Sequence, residues 1–172
     1  LRRGPRPLGP IVPLRDGDAR RVGAGRVAST EAGWIVTWPI ESGIAKRFVV
    51  RITPQSDPGV IHVEAVIEEV DAAARVDAIG VRFGAVAARR YLRNGYTSWD
   101  GSSFVDLETL DGKVVHAVTP LVSGDRDVPV LGFLRHDRFQ TRFRFSTAND
   151  ALSVDVETLV DRVAHDGTVR GE

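Results

Sequence analysis

The sequence predicts an all-β, mainly antiparallel domain, a sandwich of two packed sheets, and three observations support this. The first is alternation in Val60–Glu68. Ile61, Val63, Ala65 and Ile67 fall on one face and His62, Glu64 and Glu68 on the other, the period-two pattern of a half-buried strand. The second is a cleaner repeat in Phe139-Gln140-Thr141-Arg142-Phe143-Arg144-Phe145, which places phenylalanine inward and arginine outward. The third is turn chemistry: Ser42-Gly43, Ser56-Asp57-Pro58-Gly59, Asp111-Gly112 and Ala148-Asn149-Asp150 separate the alternating runs.

Each element follows from its own residues. Residues 1–30 hold Pro5, Pro7, Pro10 and Pro13, which forbid a regular helix and favour extended chain. They also hold seven Arg against two Asp. Such an arm can touch phosphate, though a solvated tail is the plainer reading. Residues 31–172 form the sandwich domain, with further strands expected at Gly33–Ile40, Arg47–Thr53, Ala78–Phe83, Val114–Thr119 and Ala151–Leu159. Asp71–Arg75 contains three alanines, but no capping box precedes it and Gly80 and Gly84 follow, so no helix is assigned. Asp111-Gly112 is the sharpest hairpin signal. Asp166-Gly167 reads as another hairpin, its return strand running toward Glu172.

Composition narrows the function classes. At 172 residues the chain is sized for one domain. Its 23 basic and 23 acidic residues cancel, which argues against a nucleic-acid partner. Of the basic residues, 21 are Arg; only Lys46 and Lys113 are Lys. No apolar run approaches the roughly 18 residues of a membrane helix, so no membrane partner is expected. The apolar stretch of a secretory signal is also missing, which points to a cytoplasmic location. There is no Cys for disulfides or thiol chemistry. With no Met and Leu1 first, the chain reads as a processed or excised piece.

The usual catalytic patterns are absent: no phosphate-binding Gly loop, no His-x-x-x-His pair and no Gly-x-Ser-x-Gly elbow. His62, His116, His136 and His165 lack metal-ligand spacing. His136-Asp137 are adjacent, and neighbours on a strand point to opposite faces. The many carboxylates single out no glycosidase pair. No catalytic residue, metal ligand or cofactor is therefore assigned. The unusual segment is Tyr91-Leu92-Arg93-Asn94-Gly95-Tyr96-Thr97-Ser98-Trp99-Asp100-Gly101. Its Asn-Gly turn presents two large aromatics on a loop. Tyr96 and Trp99 can stack on sugar rings; equally, Trp99 can cap the edge of a core.

Asn94-Gly95-Tyr96-Thr97-Ser98-Trp99 resembles the Asn-Gly-Trp-Gln-Ser-Trp element in the N-terminal domain of α-galactosidases of the melibiase and raffinose-synthase group. Downstream, Gly132-Phe133-Leu134-Arg135-His136-Asp137-Arg138-Phe139 is similar to the Gly-Phe-Leu strand and turn of those glycoside hydrolases. Tyr96, Thr97 and Asp100 depart from the family's residues. The resemblance, which spans roughly Trp34 to Leu159, implies a β-supersandwich related to the galactose-mutarotase fold. It further implies packing against a catalytic (β/α)₈ barrel whose two Asp residues perform a retaining hydrolysis. In that setting the loop lends an aromatic wall to the sugar pocket: Trp99 foremost, then Tyr96, with Asn94 fixing the turn.

A (β/α)₈ barrel takes about 250 residues, so the resemblance implies an accessory domain without hydrolase activity of its own. Its partners would be that barrel and an α-galactoside-like carbohydrate. Two other readings stand beside it. One is a free-standing carbohydrate-binding or mutarotase-like sandwich, for which His116, His136 and several Glu are the available acids and bases. The other is a structural module mediating homo-oligomer contacts.

Overall fold

A computed structural model of the chain describes residues 12–14, 24–42, 45–86, 90–94, 102–106, 114–115, 121–122, 131–135, 138–148, 151–160 and 165–171. Thirteen strands are found there and no helix. They are β1 (Val12–Leu14), β2 (Arg26–Thr30), β3 (Gly33–Ser42), β4 (Ala45–Pro54), β5 (Ile61–Glu68), β6 (Ala78–Val86) and β7 (Arg90–Asn94). After these come β8 (Ser102–Asp106), β9 (Val114–Val115), β10 (Leu121–Val122), β11 (Gln140–Ala148), β12 (Ala151–Leu159) and β13 (Thr168–Arg170).

The fold is all-β. One five-stranded sheet has the order β1-β6-β12-β11-β9 and the other β13-β5-β4-β3-β2, while β10-β7-β8 form a smaller ribbon. The chain divides into two compact units, one built on Val81–Glu157 and the other on Pro13–Gly80 with Thr158–Glu172.

In the second unit the antiparallel register explains the burial. Trp38 pairs with Phe48, Phe48 with Ile67 and Ile67 with Val169, and all four are buried in one row. Trp38 and Phe48 meet edge to face at 6.0 Å, a geometry their ring quadrupoles favour. Val70, Val76, Ala78, Ile79 and Val160 are also buried in this unit. The opposite face carries an ion-pair lattice. Arg51 reaches Glu64 at 3.1 Å and Glu68 at 3.2 Å, Arg170 reaches Glu64 at 3.0 Å, and Arg47 reaches Glu69 at 2.6 Å. Val49 and Val66 sit opposite each other on that same face and are nonetheless buried. The alternation in Val60–Glu68 therefore predicts the strand but not its burial: Ile61 is exposed and Val63 and Ala65 are half-buried on the face expected inward. Val66 is buried among the charges, where arginine stems can shield apolar neighbours while their heads stay wet.

In the first unit Phe143 and Phe145 are buried, as the alternation predicts, with Val81, Phe83 and Val154, whereas Phe139, also expected inward, precedes the strand and is half-buried. Phe133 joins them, 5.2 Å from Phe143. Here the structure corrects the sequence reading, because residues 131–135 form no strand; Phe133 packs from irregular chain.

Two further readings change, at Asp166-Gly167 and at Arg26–Thr30, while Asp71–Arg75 holds no helix, as expected. Asp166-Gly167 does not turn one strand back on its predecessor. Gly167 has a φ of 95°, and the strand after it joins β5 instead. Asp71–Arg75 is a short turn in which the Asp71 carboxylate accepts the Ala73 N–H at 2.7 Å, the usual way Asp competes with helix. Arg26–Thr30, the end of the proline-rich segment, is a strand paired with β3. Asp111-Gly112 and His136-Asp137 lie outside the described residues.

Candidate functional site

The segment singled out by sequence leaves from the end of the β7–β8 ribbon. These strands pair antiparallel from Arg90↔Asp106 through Leu92↔Phe104 to Asn94↔Ser102. Asn94 is thus the last ladder residue before the aromatic segment, and Ser102 is the first after it. Tyr96 and Trp99 lie outside the described residues. At the far end of the ribbon Arg90 Nε donates to Asp106 Oδ1 at 3.2 Å, both side chains being exposed. Phe104 is also exposed.

A second constellation escapes the sequence motifs. Arg82 on β6, Arg142 and Arg144 on β11, and Asp155 and Glu157 on β12 all belong to the first unit. Alternation places each of them opposite the phenylalanine face. Arg82 forks onto Asp155, with Nε 2.6 Å from Oδ1 and Nη2 2.8 Å from Oδ2. Arg142 Nε donates to Glu157 Oε2, and Arg144 Nη2 stands 3.8 Å from the same oxygen. The carboxylates are deeply buried, Asp155 at 2% exposure and Glu157 at 1%. Glu157 Oε1 has no hydrogen-bond partner among the described residues. The Arg82 guanidinium is held above its ordinary value, first by the hydrogen bond to Asp155, with burial opposing and the charges of Asp155 and Glu157 adding.

Chemically this cluster is closed. Both carboxylates are tied to arginine and shielded from water, so neither is placed to protonate a leaving group or attack a sugar. Its signal was present in the sequence as Arg-x-Arg in one strand and Asp-x-Glu in the next. Period two puts each pair on one face; the partnership with Arg82 was not readable.

No group of His, Asp or Glu among the described residues is arranged to hold a metal ion. His62 is exposed on β5. His165 faces the Ala74 carbonyl at 3.2 Å and accepts, at Nδ1, the Gly167 N–H at 3.2 Å, a local role in shaping the loop. No helix among the described residues is long and apolar enough to cross a membrane. Comparison with protein families, curated proteins and solved structures finds no match to this chain.

Proposed function

We propose that this chain is the accessory β-domain of a retaining α-galactosidase-like glycoside hydrolase. It packs on a catalytic (β/α)₈ barrel that the chain does not contain and lends an aromatic loop to the sugar pocket. The observation that favours this reading is the placement of the Asn94–Trp99 motif. It begins at a closed strand pair, Asn94↔Ser102, as a segment presented from the end of a hydrogen-bonded ribbon would. The all-β architecture is in keeping with the supersandwich that the motif implies.

In this role Trp99 stacks on the sugar and excludes water, Tyr96 widens that wall and Asn94 sets the turn. None of them moves a proton; the barrel supplies the acid and the nucleophile. Such contacts support ground state and transition state together. The test is Trp99→Ala in the polypeptide that joins this chain to its barrel, assayed on an aryl α-galactoside. KM should rise at least as much as kcat falls, with the thermal midpoint unchanged. Unaltered kinetics, or lost stability with kinetics intact, would overturn the pocket role and leave Trp99 as a cap on the core. Binding of galactose by the 172-residue chain alone, read by calorimetry, would favour a self-sufficient carbohydrate-binding sandwich instead.

A further inference from the structure

Strand β2 terminates its sheet. It has β3 on one side and, among the described residues, no strand on the other. All five of its residues are exposed. The ladder with β3 runs without a shift from Arg26↔Thr37 to Thr30↔Gly33. Only Glu31 and Ala32 separate that last pair, so it is a hydrogen-bonded one. Alternation then turns the N–H and C=O of Thr30, Ala28 and Arg26 toward β3, and those of Ser29 and Val27 outward. Proline, lysine and bulges commonly protect such an edge; β2 has none of them.

We infer that β2 is a self-association edge that pairs antiparallel with β2 of a second copy, about a two-fold axis at Ala28. This register sets Val27 opposite Ser29 of the second copy, and Ser29 opposite its Val27. The outward N–H and C=O groups of both strands then meet, giving four hydrogen bonds across the axis.

Two further features of the edge are self-complementary in the same register. Val27 is 68% exposed and Trp34 45%, and Trp34 stands opposite Ser29, on the face that Val27 shares. Across the joined sheet one row therefore reads Trp34, Ser29, then Val27 and Val36 of the second copy. Strands lie about 4.8 Å apart, and small Ser29 leaves the indole room to cover that valine. The charges also match. Arg26 falls opposite Thr30 of the second copy, one residue from its Glu31, and symmetry repeats the pairing at the other end. Arg26 and Glu31 are exposed and are the only charged residues from Arg26 through Ala32. A surface that satisfies itself in hydrogen bonds, apolar cover and charge fits an isologous dimer.

Sedimentation velocity of the 172-residue chain over a concentration series tests this. A reversible monomer–dimer equilibrium is expected, with Val27 and Ser29 amide exchange slowing as dimer forms. Arg26→Glu and Glu31→Arg should each weaken association about tenfold, since each variant replaces two symmetric ion pairs with two repulsions. Mixing the two variants, or combining both changes in one chain, should restore it. Val27→Lys should abolish the dimer without moving the monomer's thermal midpoint. A monomer at every concentration overturns the inference, as does association indifferent to charge reversal. Slow exchange at Val27 and Ser29 in a monomer also overturns it, because the chain then covers its own edge.

Discussion

Arg82 and Asp155, 73 residues apart in the chain, form a two-point fork: Nε to Oδ1 at 2.6 Å and Nη2 to Oδ2 at 2.8 Å. The carboxylate is buried and the guanidinium partly open to solvent. Removing one partner of such a pair strands the other, which costs more than exchanging both for apolar groups.

The first prediction follows from that asymmetry. Arg82→Met, which strands the buried Asp155 carboxylate, should destabilise the fold by about 3–5 kcal/mol in urea unfolding, whereas the double change Arg82→Met with Asp155→Leu should cost much less. The pH sign is fixed as well. Arg82 is raised above its ordinary value, so the stability it contributes is fully present below the unfolded value and is lost only as pH passes the folded one. The Arg82→Met penalty should therefore be equal at about pH 7 and about pH 10. A penalty that shrinks over that interval would show that another group governs the site.

Gly33 supports a second prediction. Its φ is +145°, and a Cβ there would run into the Ile52 carbonyl oxygen, which belongs to the neighbouring strand. Gly33→Ala should cost at least about 1–3 kcal/mol, the usual range for backbone held in a sparse region. Gly59, at φ +86° with open space around it, supplies the control: Gly59→Ala carries the torsional cost without the clash. Equal losses for the two variants would mean that the approach to Ile52 relaxes freely.

A third prediction concerns the phenylalanine cluster. Phe143 stacks on Phe145 at 6.4 Å and meets Phe133 at 5.2 Å. Phe143→Ala should cost about 3–5 kcal/mol. Leu134 is exposed beside that cluster, and Leu134→Ser should stay within about 0.5 kcal/mol. The comparison separates core packing from the general hydrophobicity of the Gly132–Leu134 motif, and comparable losses would count against Phe143 as the core residue.

Much of the fold was legible because strand alternation is a local signal. Ala151–Leu159 matches β12 at both ends, and Ile61–Glu68 begins one residue inside its expected range. Phe143 and Phe145 face the core because a one-residue slip would send both to the wrong side. The candidate site was legible only as a motif. Asn94 is placed at a ladder end, while Tyr96 and Trp99 remain assigned by resemblance. The burial of Val49 and Val66 was not legible, because local alternation counts polar neighbours and not the reach of their stems.

By itself the sequence determined the all-β class, most strand positions and the inward phenylalanines, since each depends on residues two apart in the chain. Only the tertiary structure decided that Arg82 meets Asp155, that the last strand joins β5 and that β2 stands at a sheet edge. Those facts depend on which strands become neighbours. That choice is made by burial and pairing summed over the whole chain, and no short stretch of residues encodes it.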